Sequence, residues 1–457
     1  MKCAVTVFAC LLVGLSAVLA DGSWAAEGSR PHIVFVLADD LGAGDLSCYG
    51  GQVVATPNLD RLAKEGVRLN HYYAAAPICS PSRCGLLTGQ FPARWRITSF
   101  LQDRQGNRAC EQADFLDPAA PTLPRVLQAA GYATAHVGKW HLGGGRDVRD
   151  APKFSAYGYD EGVGTWESPE PHPEITATDW IWSDKDNVKR WDRTAFFVDK
   201  TLDFLARHPE QPCFVNLWLD DPHTPWVPQA QAGEELPKGA TRKRLVGVLE
   251  EMDRQLGRLM KELPANTLLI FASDNGPLPT FKRDRTLDLR GSKLSLYEGG
   301  IRVPLIARWP GHIDAGRVDD GTVLGGVDVL PTLAAIAGAE LLAGFASDGE
   351  DRSRVILASA GDSATATSNP RQKPLFWEYG RNERGFKFPA AADRSLPLAI
   401  RDGDWKLLLS PDGSQVELYN IASDPHESKD LAASQPEVTR RLRARALELW
   451  QTTSAAQ

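Results

Sequence analysis

Short apolar runs that recur along the chain place the strongest constraint on its fold. The first is His32–Ala38, and similar runs follow at Tyr132–Val137, Cys213–Leu219, Thr267–Ala272 and Val303–Ala307. Nearly continuous apolar runs of this length are typical of strands buried on both faces of a parallel sheet. The stretches between them predict helices, one starting at Thr56-Pro57 and two more at Thr194–Arg207 and Lys243–Leu263. We therefore predict an α/β fold with a large mixed, mostly parallel sheet sandwiched by helices.

The pattern changes towards the C-terminus. Residues 346–372 are rich in Ser, Ala, Asp and Gly and predict a loop or linker. Leu396–Ile400 and Trp405–Leu409 then read as short strands, and Asp402-Gly403 between them favours a hairpin. Val416–Tyr419 predicts another strand, and an amphipathic helix ends the chain. We expect a main domain over residues 21–365 and a C-terminal α+β subdomain, a small antiparallel sheet plus helix, over residues 366–457.

The N-terminus predicts export. Lys2 precedes the apolar stretch Ala4–Leu19, and Val18-Leu19-Ala20 offers small residues for cleavage before Asp21, so residues 1–20 read as a signal peptide. The stretch is short for a membrane span, and no later segment is long and apolar enough for one. We expect an exported chain, periplasmic or secreted, without a membrane span.

The net charge of the chain bears on its binding partners. The 457 residues carry a formal net charge of -7, so we expect no nucleic-acid partner.

The cysteines leave the disulfide pairing open. Without the signal peptide, the cysteines that remain are Cys48, Cys79, Cys84, Cys110 and Cys213. Export permits disulfides, but the sequence does not select a pairing among them.

Polar side chains follow two of the predicted strands. Asp39-Asp40 comes directly after the first apolar run, and Asp274-Asn275 follows the Thr267–Ala272 run. Ligands of α/β sheets bind beyond the carboxyl ends of strands, where these four side chains would converge. Oxygen ligands suit Ca²⁺ or Mg²⁺. Each cluster alone reads better as a polar turn, but together with the motif that begins at Cys79 they favour a metal site.

Two motifs carry a family resemblance. The run Cys79-Ser80-Pro81-Ser82-Arg83, followed by Leu87-Thr88-Gly89, resembles the maturation signature of the type I sulfatases. Gly138-Lys139-Trp140-His141-Leu142-Gly143 closely resembles the second signature of the same family. These are formylglycine-dependent, arylsulfatase-like enzymes of the alkaline phosphatase superfamily. The alternative for Cys79 is a buried cysteine that packs at the start of a helix.

The resemblance implies a reaction and its cofactors. A formylglycine-generating maturation enzyme would oxidise Cys79 to formylglycine (3-oxoalanine), and the hydrated aldehyde would attack sulfur to give a covalent sulfo-enzyme intermediate. One Ca²⁺ would be held by residue 79 together with Asp39, Asp40, Asp274 and Asn275. An alkaline phosphatase-like fold is implied as well.

The resemblance also implies roles for single residues. Arg83 would hold the aldehyde hydrate, and His141 would take its proton when the intermediate breaks down. Asp221-Pro222-His223 resembles the segment that carries an active-site histidine, so His223 would protonate the leaving oxygen. Arg290-Gly291-Ser292-Lys293 makes Lys293 the second lysine that contacts sulfate, beside Lys139. Lys139, His223 and Lys293 would thus bind substrate. Cys84 is a departure, since the family more often has a small residue there.

The implied function is hydrolysis of sulfate esters, on a sulfated carbohydrate or an aryl sulfate. One alternative is a phosphate or phosphonate ester hydrolase of the same superfamily, although a phosphatase of that group would use Ser or Thr with two zinc ions and more histidines. The other is a non-catalytic binder of sulfated glycans, which would result if Cys79 stays unconverted. The sequence does not identify the sugar or the sulfated position.

Overall fold

A computed structural model describes residues 30–176, 182–230, 232–359 and 370–454. The predicted signal peptide and the predicted domain boundary between residues 365 and 366 lie outside these ranges. The helices are α1 (Pro57–Lys64), α2 (Cys79–Thr88), α3 (Arg104–Ala109), α4 (Leu123–Ala129), α5 (Arg193–Arg207), α6 (Arg242–Glu262), α7 (Glu298–Ile301), α8 (Val329–Ile336), α9 (Ser353–Ile356), α10 (Glu383–Lys387) and α11 (Pro436–Ser454).

The strands form two sheets. The large sheet contains β1 (His32–Ala38), β2 (Val67–Tyr73), β3 (Ala133–Gly138), β4 (Glu161–Gly164), β5 (Cys213–Trp218), β6 (Thr267–Ser273), β7 (Arg302–Arg308), β8 (Arg317–Asp319) and β9 (Leu324–Gly325). The small sheet contains β10 (Leu375–Glu378), β11 (Leu398–Asp402), β12 (Trp405–Leu409) and β13 (Val416–Asn420).

The large sheet is mixed but mostly parallel, as predicted. Its order is β4-β3-β5-β1-β6-β7-β2-β8, with β9 paired to β2. Within the described chain, β7 alone runs against its neighbours, pairing antiparallel with both β6 and β2. The predicted α/β fold is confirmed. The apolar run at Val303–Ala307 predicted a strand here but could not predict that β7 runs antiparallel to its neighbours.

Helices cover both faces of the large sheet. Alternate residues of β1 point to opposite sides, so Phe35 and Leu37 pack in one core cluster and Val34 and Val36 in another. The first cluster includes residues of α2, α4 and α8, and the second includes residues of α1, α5 and α6. A strand buried on both faces must be apolar at nearly every position, which explains the continuous run.

The small sheet is antiparallel throughout and packs with α11. Asp402 pairs with Trp405 across the β11–β12 hairpin, whose turn contains the predicted Gly403. Leu442 and Ala446 of α11 are buried in the same core cluster as β11 and β12. In the described parts of the chain, no helix is long and apolar enough to cross a membrane.

His136 of β3 lies in a cluster of aromatic rings beneath the strand ends. Its ring stacks on Phe154 at 4.9 Å and meets Trp140 and Trp218 edge-on at 5.1 Å each. Burial lowers the pKa of His136 to about 3, and the charge of Arg83 adds to the effect. The imidazole is therefore neutral in the folded protein at ordinary pH.

We expect His136→Phe to reduce the acid sensitivity of the fold. The unfolded chain protonates His136 below a pH of about 6.5, whereas the folded chain does so only near pH 3. Stability is therefore lost as pH falls between these values, by up to about 1.4 kcal/mol per pH unit from this group. Chemical denaturation of both proteins between pH 4 and 7 measures the slope. Equal slopes for the variant and the wild type would contradict the assignment.

Candidate active site

The predicted site residues gather at the carboxyl ends of the central strands. β1 pairs with β6 so that Ala38 lies beside Ser273, and the next residues continue the ladder, with the Asp274 amide donating to the Ala38 carbonyl at 3.0 Å. The Asp39 amide donates in turn to the carbonyl of Asp221, at 3.0 Å, after β5. The side chains of three strand ends are thereby brought to one point.

Cys79 is the first residue of α2. The chain reaches it from β2 through a short connection, and its side chain is 2% exposed. The N-terminus of a helix carries free amide groups and partial positive charge, which favours anions at this position. Burial raises the pKa of the Cys79 thiol to about 12 despite the nearby lysines. The unmodified residue is therefore a neutral thiol, the poorly reactive form of cysteine.

Lys139 and Lys293 lie on either side of Cys79. The Nζ atom of each lysine is 3.7 Å from the Sγ atom. Lys139 forms an ion pair with Asp39 at 2.5 Å, and Lys293 forms one with Asp40 at 2.7 Å. All four charged side chains are buried. Two ammonium groups thus face residue 79, each balanced by a carboxylate.

Lys139 owes its position to the glycine before it. Gly138 has a φ of +111°, and a Cβ atom there would lie 1.8 Å from the carbonyl oxygen of Trp218. That oxygen also accepts a hydrogen bond from the Lys139 amide at 2.8 Å. A side chain at residue 138 would push β3 and β5 apart and move the lysine.

Arg83 connects α2 to the strand ends. Its Nε and Nη2 atoms donate to Oδ2 of Asp274 at 3.0 and 2.8 Å, and Nη1 donates to the carbonyl of Lys139 at 2.9 Å. Its guanidinium also stacks over the ring of Trp218, at 5.2 Å from the centroid. Arg83 therefore fixes the geometry between Cys79, one turn earlier in the helix, and the β3 and β6 ends.

His223 reaches the cluster from the loop after β5. Its Nε2 atom lies 3.6 Å from Oδ2 of Asp40, and its Nδ1 atom lies 2.5 Å from the carbonyl of Thr224. A carbonyl can only accept, so Nδ1 carries the proton of the neutral ring. Burial, and then the charges of Lys139 and Lys293, lower the pKa of His223 to about 4.

His141 takes part less directly. Its Nε2 atom is 3.3 Å from the carbonyl of Leu101, and the amide of Leu101 donates to the hydroxyl oxygen of Ser80, the neighbour of Cys79, at 3.0 Å. Its Nδ1 atom is buried and has no hydrogen-bond partner among the described residues. Burial and the charge of Lys139 hold the pKa of His141 well below its usual value. The ring is therefore neutral, with Nδ1 available as an acceptor.

The carboxyl groups respond unequally to this environment. Burial alone would raise the pKa of Asp39, but Lys139, His223 and Arg83 hold it well below its usual value. Burial would also raise the pKa of Asp40, but nearby positive charge, chiefly that of Lys293, lowers it instead. Burial and the charge of Asp39 instead raise the pKa of Asp274 to about 7, although Arg83 opposes them. Of the three carboxyl groups, Asp274 is therefore the one whose ionised form this environment stabilises least.

The same oxygens fit a hard cation. Ligand atoms of Asp39, Asp40, Cys79 and His223 all lie within 4.8 Å of one another. Oδ1 of Asn275 is buried without a hydrogen-bond partner in the described chain, while its Nδ2 donates to Asp40 at 2.7 Å. An orphaned amide oxygen beside carboxylates is a donor set that Ca²⁺ accepts. Asp274 is less open, because its oxygens already accept from Arg83 and from the Asp40 amide.

The structure adds a supporting group that the sequence analysis missed. Arg190 forms ion pairs with Asp220 at 3.0 Å and Asp221 at 2.8 Å, and Arg193 forms one with Asp220 at 2.7 Å. These buried pairs anchor the loop that carries His223. The sequence did contain a hint of this group, because Asp220-Asp221 follows β5 much as Asp39-Asp40 follows β1. No sequence pattern linked these two aspartates to Arg190 and Arg193.

The five cysteines named above are all free thiols in the described structure. Cys84, the departure from the family signature, is buried on α2 and burial raises its pKa. It packs in the apolar core cluster that also contains residues of α4 and α8.

The fold and the cluster together define an alkaline phosphatase-like hydrolase. The sulfatase family model matches residues 31–339, and the model described as the C-terminal part of N-sulphoglucosamine sulphohydrolase matches residues 292–452. The chain belongs to the sulfatase family, whose members are sulfuric ester hydrolases.

Individual relatives agree with this family. Arylsulfatase A of Homo sapiens is 31% identical, covering 92% of this chain and 83% of that protein. N-acetylgalactosamine-6-O-sulfatase of Bacteroides thetaiotaomicron is 28% identical, covering 91% of this chain and 92% of that protein. Among solved structures, a Bacteroides thetaiotaomicron sulfatase described with the metabolism of multiple glycosaminoglycans superposes with a TM-score of 0.71 at 26% identity, covering 93% of this chain and 100% of that one. The phosphonate monoester hydrolase of Agrobacterium radiobacter, at a TM-score of 0.63 and 21% identity, covers 93% of this chain and 96% of that one and shares the fold alone.

Proposed function

We propose that the chain hydrolyses sulfate esters of a sulfated carbohydrate, with formylglycine formed from Cys79 and one bound Ca²⁺, by a two-step displacement at residue 79. One observation carries the proposal. Lys139 and Lys293 both place Nζ 3.7 Å from the Sγ atom of Cys79, at the N-terminus of α2. Fixed positive groups around a nucleophile can hold the charged oxygens of a sulfate ester and stabilise their charge in the transition state.

Formylglycine and Ca²⁺ would supply complementary chemistry. At residue 79, the hydrated aldehyde of formylglycine would supply one hydroxyl as nucleophile and a second whose deprotonation would permit release of sulfate. A Ca²⁺ ion, held by Asp39, Asp40, Asp274, Asn275 and residue 79, would neutralise negative charge close to the reacting atoms. Arg83 would keep residue 79 in place through its contacts with Asp274 and Lys139.

His223 would protonate the departing alcohol. Its pKa of about 4 in the free protein makes the ring neutral, with Nε2 unprotonated and facing the cluster. A bound sulfate ester brings negative charge between Lys139 and Lys293, which offsets the lysines that depress this pKa. Substrate binding is thus expected to favour the imidazolium form that can donate a proton from Nε2.

His141 would take the proton that ends the cycle. Its Nδ1 atom is buried, accepts no hydrogen bond from the described residues and belongs to a neutral ring. A neutral imidazole with an open nitrogen can act as a base. The Leu101 carbonyl, 3.3 Å from Nε2, would hold the ring in the matching tautomer.

Relatives support the substrate class and the biological setting. One relative is named an N-acetylgalactosamine-6-O-sulfatase, and a solved structure with a TM-score of 0.70 at 25% identity contains a neocarrahexaose. We propose a sulfated carbohydrate outside the cell as substrate, an exported enzyme, periplasmic or secreted, and a formylglycine-generating enzyme as its maturation partner.

The function is tested by measuring sulfate release from defined sulfated monosaccharides and oligosaccharides, with aryl sulfate and aryl phosphate as reference substrates. We expect release from at least one sulfated sugar and a higher kcat/KM for aryl sulfate than for aryl phosphate. A preference for aryl phosphate would favour the phosphate ester hydrolase. Binding without release by protein that carries formylglycine would favour the glycan binder.

Removal of the cation is expected to destabilise the protein. A ligand present at a hundred times its Kd adds about 2.7 kcal/mol to the stability of the state that binds it, so Ca²⁺ should raise Tm relative to EGTA by several degrees. Asp40→Asn removes one proposed ligand and should largely abolish the shift, whereas Asp320→Asn, an exposed aspartate, should retain it. Thermal unfolding with and without Ca²⁺ measures this. An unchanged Tm in wild-type protein would contradict the cation site.

A further inference from the structure

A second cavity, separate from the cluster at Cys79, lies between the large and small sheets. Its volume is about 740 Å³, and its lining includes β2 of the large sheet and the turn of the β11–β12 hairpin. None of the predicted catalytic or metal-binding residues lines it. The mechanism proposed above therefore leaves this cavity without a role.

The lining is strongly cationic. Five arginines contribute to it, against two carboxylates, Asp320 and Asp404. The arginines are Arg68, Arg302, Arg352, Arg371 and Arg401. The Asp320 carboxylate already accepts a hydrogen bond from the Asn70 amide. Arginines gathered at this density repel one another unless an anion lies among them.

Among the described residues, three of these arginines have no carboxylate oxygen closer than 3.9 Å. Arg371 pairs with Asp328, and Arg352 has Glu350 at 3.4 Å. Arg302, in contrast, approaches Glu298 only to 3.9 Å and donates its Nε to the carbonyl of Asn70 at 2.8 Å.

Arg68 and Arg401 form no ion pair within the described residues, although the charge of Arg401 helps, after Lys406, to lower the pKa of the buried Glu298. Arg401 donates to the Gly403 carbonyl and to the hydroxyl of Tyr73. The Arg68 guanidinium lies over the Tyr49 ring, at 5.1 Å from the centroid, and its buried Nε has no hydrogen-bond partner in the described chain. The aromatic ring positions Arg68 without neutralising it, so its charge remains available to a ligand.

His71 adds an unpartnered polar atom to the same wall. Its Nδ1 is buried and finds no hydrogen-bond partner among the residues that the structure describes. Burial lowers the pKa of His71 to about 4, and Arg302 and Arg401 contribute to this effect. A neutral ring beside arginines can donate one hydrogen bond to an oxyanion without adding charge.

We propose that this cavity is a second oxyanion site that binds a sulfate group, with Arg68, Arg302, Arg401 and His71 as its donors. Guanidinium groups match the oxygens of sulfate with paired N–H donors, and arginines whose carboxylate partners are distant gain most from such a ligand. The inference does not require residue 79 to be converted or the chain to turn over. The sulfate group can belong to free sulfate ion or to a sulfated glycan.

Equilibrium dialysis of the full chain against radiolabelled inorganic sulfate tests the site. Cys79→Ala is combined with Arg68→Gln or, as a matched control, with Arg61→Gln, an arginine of α1 outside the cavity. Loss of a charged hydrogen-bond donor should weaken sulfate binding at one site on the order of tenfold or more, so the bound sulfate falls by up to one ion per chain for Arg68→Gln only. Equal binding by both double variants would overturn the proposal. Any sulfate ion bound between Lys139 and Lys293 would be retained by both double variants, so it would not change the difference between them.

Two further measurements complete the test. Crystals of wild-type protein soaked in selenate should show an anomalous peak beside Arg68 and His71, and its absence would overturn the site even if the variant fails to fold. A sulfated tetrasaccharide and its desulfated counterpart distinguish the sources of the anion. Weaker binding of only the sulfated sugar by Arg68→Gln identifies a glycan site, whereas an effect confined to inorganic sulfate identifies a site for the free ion.

Discussion

Replacing Cys79 with serine is expected to lower the rate of sulfate release by at least about 10³-fold, as loss of a catalytic nucleophile does elsewhere. Serine fits the buried position at the start of α2, so the fold should persist. It offers one hydroxyl where a hydrated aldehyde offers two, so a sulfo group transferred to serine has no intramolecular route of release. Steady-state kinetics measure the loss, and intact mass measures any trapped sulfo group.

Cys84→Ser is the matched control for this experiment. Cys84 lies on the same helix and is also buried, but it packs in the apolar core, whereas Cys79 faces Lys139 and Lys293. We expect the control to retain turnover even if its Tm falls. Mass analysis of the tryptic peptide Leu69–Arg83 would show whether residue 79 is a thiol or an aldehyde in the wild-type protein. Near wild-type turnover by Cys79→Ser would rule out the proposed chemistry.

Replacing Lys139 or Lys293 with methionine should have the second-largest effect. Each change removes an ammonium group 3.7 Å from residue 79, and the loss of one such electrostatic donor lowers kcat by about 10²–10³-fold in enzymes that stabilise a developing oxyanion. The loss should appear in kcat/KM for every sulfate ester, irrespective of the sugar. Lys238→Met, at an exposed lysine, should leave kcat/KM unchanged.

The lysine variants are also expected to be less stable than the wild type, and this loss of stability must be distinguished from a loss of catalysis. Lys139→Met leaves Asp39 buried with Arg83 at 3.7 Å as a remaining cation, and breaking a buried ion pair costs about 3–5 kcal/mol. Tm measured with Ca²⁺ present quantifies this loss. Folded variants that keep wild-type kcat/KM would contradict the assigned role of the lysines.

The sequence was most informative where a strand is buried on both faces. The run at His32–Ala38 coincides with β1, and the runs that predicted β3, β5 and β6 lie within one residue of the observed strands at each end. β2 (Val67–Tyr73) was missed because Arg68, Asn70 and His71 interrupt its apolar pattern. Those polar residues line the second cavity, and their polarity removes the apolar pattern by which a buried strand is recognised in a sequence.

The site was predictable to the extent that its residues follow strand ends or lie in motifs. Asp39, Lys139 and Lys293 meet around Cys79 as the sequence analysis expected, although the catalytic roles remain proposals. The arginine pairs around Asp220 were not predictable, because Arg190 and Asp220 are brought together only by the tertiary fold. No local pattern records such a contact.

The strand order also sets a sequence of events during synthesis. β1 lies between β5 and β6, so this strand, the first among the described residues, cannot complete its pairing until Thr267–Ser273 has been made. At about 5–20 residues per second, a ribosome needs roughly 10 to 40 s to proceed from residue 79 to residue 267. During that interval the large sheet against which α2 packs is incomplete, whereas in the completed fold residue 79, at the start of α2, is 2% exposed. The proposed maturation enzyme would therefore reach residue 79 more easily before the large sheet is complete than afterwards.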